Sequence, residues 1–243
     1  INSGSLAQQT GGVLKTFHNF DPYVDEEELT HAIKDSVKKV TGYQGQLKIR
    51  CSSGLQVNKY YGGFQTSGEA ADPVLPVLNN DTSIACDFVY DGKLETKYDG
   101  HFQIALLYTA SDGQRKVRVI NSIVSVTERV GDVFAFADQD TVLGLILRES
   151  ISRLPTTNLV ALKSYLNVQV ADINTRYRKL VSSHGSLPGQ LVFPHGLKTL
   201  AMFILSAEKT RALKEKTVNP DLRIESLYRL KTYPLDRLSL YLY

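Results

Sequence analysis

The spacing of apolar positions along the chain changes rhythm twice, dividing it into three zones. In the first, residues 1–42, Leu29, Ile33, Val37 and Val40 recur at steps of three and four, which predicts an amphipathic helix. Asp25 and Glu28 read as a capping box at its start. Lys38 and Lys39 fall in its last turn, where cations suit the helix dipole. Gly42 reads as its terminator. Upstream, Val13 to Phe17 reads as a short strand. The second zone, residues 43–127, alternates every two residues: Leu47, Ile49 and Cys51 interleave with Lys48 and Arg50. SIACDFVY is another strand, and HFQIALLYTASDGQRKVRVINSIVSV is two long strands joined through Asp112-Gly113, a hairpin signal. No helix-length segment separates these strands, so an antiparallel sandwich is expected and a parallel α/β sheet is not.

The third zone, residues 128–243, returns to helical spacing. Phe136, Leu143, Ile146, Leu147 and Leu154 share one face, and Pro155 ends that helix. Leu159, Leu162, Leu166, Val170, Ile173, Tyr177 and Leu180 form the longest stripe, a core helix of a bundle. SSHGSLPGQ reads as a loop, Leu197 to Lys209 as a third helix, Pro220 as the start of a fourth and Pro234 as the start of a short fifth. The expected class is α+β: a strand and helix, an antiparallel β-sandwich, then an all-α domain.

Composition narrows the function more than the fold. With 243 residues, 42% hydrophobic and 22% charged, the chain can bury a sizeable core. No run approaches the roughly 20 apolar residues of a membrane-spanning helix. A net charge of +3 without clustered cations argues against nucleic acid. The chain starts at Ile1 in a polar stretch without an export signal's apolar core, and ends in mid-pattern; an excerpt of a longer protein is expected. Cys51 and Cys86 lie in phase with apolar neighbours and read as buried reduced thiols, with a disulfide between adjacent strands left open. The sequon Asn80-Asp81-Thr82 reads as a polar loop.

The search for catalytic motifs is negative. The five histidines lack the paired spacing of a zinc site, and Cys-x-x-Cys, G-x-S-x-G, P-loop and G-x-G-x-x-G patterns are missing. No motif marks a pair of acids for acid/base work, so an enzyme is not expected. The basic residues say more. Lys48 and Arg50 share one face of their strand, and Lys116 and Arg118 share one face of another. A solvated sheet face explains such pairs simply. Yet paired cations on one strand repel each other unless an anion is near, and a peptide carboxylate would supply one.

Five stretches, in order, resemble the cargo adaptor of the COPII inner coat, the Sec twenty-four family. QQTGGVLKTFHNF resembles the end of that family's trunk domain, and LKIRCSSGLQVNKYYGGF its entry into the β-sandwich. FQIALLYTASDGQRKVRV resembles its Arg-rich hairpin, VTERVGDVFAFADQDTVLGLI the start of its helical domain, and LKTLAMFILSAEKTRAL a late apolar helix. Thr141 stands where the family commonly has a small apolar residue. The resemblance implies that residues 1–42 are the remnant of an α/β trunk, followed by β-sandwich (43–127) and helical (128–243) domains. It implies selection of transmembrane cargo for vesicles travelling from the endoplasmic reticulum to the Golgi, by binding short cytosolic sorting peptides. The matching site positions are Lys48, Arg50 and Leu107, with Lys48 departing from the family's Arg. Alternation puts Leu107 in a row with Gln103, Ala105 and Thr109, where it is the odd apolar member. Implied partners are the smaller inner-coat subunit (Sec twenty-three family), cytosolic tails of cargo and membrane-fusion proteins, and an acidic membrane surface. No nucleic acid is implied. The implied location is the cytoplasm, with recruitment to the endoplasmic reticulum and COPII vesicles. No cofactor is expected here; the family's structural zinc would lie upstream. The alternatives are a purely structural coat subunit without a working pocket, or an unrecognised enzyme.

Overall fold

The computed structural model describes residues 2–68, 71–182 and 191–243. Its centre is the alternating strand β1 (Val40–Cys51), followed by β2 (Leu55–Gly62), β3 (Val74–Asn79), β4 (Ile84–Tyr90), β5 (Gly100–Ala110) and β6 (Arg115–Val124). All named pairings are antiparallel. One sheet runs β3-β1-β5-β6 and a second consists of β2 and β4. The apolar row of β1 turns inward: Leu47 packs with Leu75 and Leu78, and Ile84, Ile104, Leu106 and Tyr108 close around them. Gly113, at φ 80, makes the hairpin turn, and the Asp112 side chain accepts from the Gln114 amide at 2.9 Å.

Gly42 does not terminate a helix; it lies inside β1. A Cβ there would meet the Tyr108 ring at 2.7 Å and the Thr109 carbonyl at 2.8 Å, so the residue serves a close approach of β1 to β5. The preceding helix, α2 (Pro22–Lys38), stops earlier, at Lys39. It also starts earlier than the pattern predicts. Asp21 caps it by accepting from the Tyr23 amide, while Asp25 accepts from the Asp21 amide, a reciprocal cap shifted upstream of the expected one. No residue of α2 is buried, and Ile33 and Val37 are 58% and 73% exposed.

Ahead of α2 lies a further helix, α1 (Asn2–Thr10), which the sequence pattern does not reveal. The expected strand at Val13 to Phe17 is irregular backbone that pairs with no strand among the described residues. A strand exists only through a neighbour's ladder, and here the local anchor is a side chain: the Tyr228 hydroxyl donates to the Gly12 carbonyl at 2.6 Å.

The helical half contains α3 (Val130–Ala135), α4 (Gln139–Ser152), α5 (Leu159–Ser182), α6 (Leu200–Lys209), α7 (Pro220–Thr232) and α8 (Leu235–Leu242). Asp138 caps α4 by accepting from the Thr141 amide, which separates it from α3 and leaves Phe136, expected on the shared face, 88% exposed between them. The core is made by Leu143, Leu147 and Ile151 of α4 against Leu162 and Leu166 of α5, with Leu200 and Ile204 of α6 and Leu238 of α8. Each such side chain contributes about 1.5–3 kcal/mol of burial. Ile173 is only partly buried. The loop expected around Ser182 to Gln190 falls mostly outside the described residues. Among the described residues, no helix is long and apolar enough to cross a membrane.

The two halves meet along α4, which packs on β2 and β4. There Arg148, 2% exposed, donates from Nη2 to the Ser83 hydroxyl at 3.1 Å and to the Tyr233 carbonyl at 2.6 Å. Nearby, Arg237 pairs with Asp81 at 2.6 Å.

Candidate peptide-binding face

The register between β1 and β5 settles which side chains share a face. Lys48 lies opposite Ala105, Arg50 opposite Gln103, and Gln46 opposite Leu107. Directly opposed residues project on the same side. Lys48, Arg50 and Leu107 therefore all stand on the outer face of the sheet, away from Leu47 and Leu106. The two cations are about 7 Å apart along the strand, and Leu107 is diagonal to Lys48, about 7–8 Å away.

Lys48 is not free: its Nζ donates to Asp72 Oδ2 at 3.0 Å, across an exposed pair. Asp72 sits in the connection between β2 and β3, a partner that alternation could not reveal. Arg50 is exposed, and among the described residues its guanidinium has no hydrogen-bond or ion-pair partner. Next to Leu107 on the other side is β6, where Val117 opposes Leu107 and Val119 opposes Ala105. They are 63% and 50% exposed, so Leu107 is one edge of an apolar row rather than a lone apolar residue. The alternation in KVRVI carried that signal.

Residues 42–127 match the family model described as the Sec23/Sec24 beta-sandwich domain, and residues 138–240 match the Sec23/Sec24 helical domain. The chain belongs to the Sec23/Sec24 family. Among its relatives, SED5-binding protein 3 of Saccharomyces cerevisiae is 36% identical over 87% of this chain and 22% of the relative. Protein transport protein SEC24 B of Arabidopsis thaliana is 29% identical over 86% of the chain and 19% of the relative. The crystal structure of the human COPII-coat protein Sec24c superposes with a TM-score of 0.90 over 97% of this chain and 31% of that one; at 24% identity this shows a shared fold. The chain thus spans 19–22% of the length of these two curated relatives.

In this Sec23/Sec24 family chain the second basic pair does not join the first. Lys116 lies opposite Tyr108 and Arg118 opposite Leu106, which puts them on the inner side of the sheet. Lys116 is answered within its own hairpin by Asp112 at 2.6 Å, and this bond holds the Asp112 carboxyl below its ordinary range. Cys51 and Cys86 are both free and half-buried. Burial, with smaller contributions from Cys51 and Asp87, pushes the Cys86 thiol up to about 11. Among the described residues, no three His, Cys, Asp or Glu side chains gather as a metal site. Arg148 was missed by sequence reasoning, because a single Arg in an apolar helix matches no motif.

Proposed function

We propose that this chain is the β-sandwich and helical part of a COPII cargo adaptor, and that its outer sheet face binds short cytosolic sorting peptides. Family membership supports the coat assignment, as do relatives named as protein transport proteins and one named as binding SED5. The observation that carries the peptide reading is Arg50: an exposed guanidinium with no anion among the described residues, on the same sheet face as the row of Leu107, Val117 and Val119. An acidic residue of a peptide satisfies the cation, and an aliphatic residue covers the row. Lys48 acts as a second, shared cation that can exchange Asp72 for the peptide. As a point charge it offers less geometric selection than a guanidinium fork. In the same proposal the longer protein joins the smaller inner-coat subunit at the endoplasmic reticulum membrane and carries its structural zinc outside this chain.

The test is titration of acidic–aliphatic peptides against the wild-type chain and Arg50→Glu. A hydrogen-bonded ion contributes about 1.5–3 kcal/mol, so Arg50→Glu is expected to weaken binding by roughly ten- to a hundredfold with melting temperature unchanged. Lys48→Arg is expected to bind as well or better. Equal affinities for wild type and Arg50→Glu favour the second reading, a structural coat segment in which Asp72 permanently neutralises Lys48.

A further inference from the structure

Arg148 is a buried cation with too few partners. Its residue is 2% exposed, yet among the described residues both of its hydrogen bonds leave from Nη2 and end on neutral oxygens, those of Ser83 and Tyr233. Its Nε is buried with no partner, and no carboxylate pairs with it among the described residues. Removing a guanidinium from water without an anion is costly, and the cost is visible in its acidity: burial pulls Arg148 down to about 10.

A second cation shares the same surroundings. Arg148 and Lys231 both line a cleft of about 430 Å³ between β2, α4 and α7, beside Tyr60, Tyr61 and Gln8. Lys231 has no ion pair or hydrogen bond among the described residues, and burial lowers its affinity for the proton. Gln8 is already engaged, donating to the Gly62 carbonyl at 2.9 Å. The buried Arg148 and the partly buried Lys231 line one cavity together with Lys59; like charges sharing a cavity repel, and a group of opposite sign would relieve them. The cleft is large enough to admit such a group, since ligand pockets range from about 300 to 1,000 Å³.

We propose that this cleft is an oxyanion-binding site, in which Arg148 and Lys231 together hold a carboxylate or phosphate group of a ligand. The site is separate from the Arg50 face: one lies on the outer side of the β1–β5 pair, the other under the junction of β2 with the helical half. An anion there would bridge α4 to α7 within the helical half, beside β2 of the sandwich.

The probes are sodium phosphate and sodium acetate, titrated into the chain at constant ionic strength set with chloride, with heat and melting temperature recorded. Wild type is expected to release heat and melt higher with at least one of them; a response to phosphate alone marks a phosphate ligand, and a response to acetate marks a carboxylate. Loss of one charge-assisted contact makes Lys231→Gln bind about tenfold or more weakly. Arg148→Met is expected to bind neither anion. If that variant fails to fold, Lys231→Gln decides alone, because losing a half-buried unpaired cation leaves the fold in place. Arg50→Glu is expected to respond as wild type, which keeps this site distinct from the peptide face. No response to either anion in wild type, or equal responses in wild type and Lys231→Gln, overturns the proposal.

Discussion

Cys86 stands in β4 with its thiol held protonated by burial, with Cys51 and Asp87 adding negative potential when they are charged. Its affinity for the proton is raised from the ordinary 9.0 to about 11 in the folded chain. The native state therefore holds that proton more tightly than the unfolded state does. The stabilisation is complete below pH 9, the unfolded value, and is lost as pH climbs through about 11. Cys51 is shifted in the same direction, also by burial, and adds to the same limb. Urea midpoints measured from pH 8 to 11 should fall steeply for wild type, and less steeply for Cys86→Ala, after allowing for a common offset from the lost side chain. Parallel curves would mean that the Cys86 thiol ionises freely in the folded state.

Among the elements, α5 gives the sharpest energetic contrast. Leu166 is fully buried against α4 and α6, whereas Ile173, on the same stripe, is only partly covered. Leu166→Ala should cost about 2–5 kcal/mol in chemical denaturation, and Ile173→Ala distinctly less. The stripe was legible in the sequence; the difference within it was not, because periodicity says which face turns inward and not how far the neighbouring helices extend. The same reasoning separates the other hits and misses. Alternation in β1 and the Asp112-Gly113 turn depend on local chemistry, and both elements formed as expected. The helix α1 offers only Leu6 and Ala7 as apolar residues, too few to make a stripe. Val13 to Phe17 has strand-like residues but no ladder beside it. At the candidate face, alternation grouped Lys48 with Arg50 and Leu107 with its own row, but the register that joins the two rows and the Lys48–Asp72 bond, which depends on a loop path, are encoded in no pattern.

At the scale of the whole molecule, the sheet ends in an unpaired edge. Among the described residues β6 has a partner on one side only, and Val117, Val119, Ile120, Ile123 and Val124 are each half-exposed or more. An open edge with this much apolar surface templates pairing with another strand. The isolated chain is expected to self-associate with rising concentration in sedimentation velocity, and Ile123→Lys is expected to shift it towards monomer; a wild type that stays monomeric throughout would contradict this. Position in the sheet also has a consequence in time. β1 is central, but both of its neighbours come later in the chain; the contact between the His101 amide and the Ser52 hydroxyl spans 49 positions. At ribosomal speeds of about 5–20 residues per second, β1 waits roughly 2–10 s for β5 to be synthesised, whereas the β5–β6 hairpin can close in about 1–10 μs. During that interval β3 can already pair with the Val40–Gln46 part of β1, but Ile49 and Cys51 wait for β5 to supply their ladder. What discourages the nascent strand from pairing with a neighbouring polysome's product is its alternate row, Lys48 and Arg50, whose charges repel a second copy. The two cations thus act as gatekeepers during synthesis, before there is a folded surface for them to occupy.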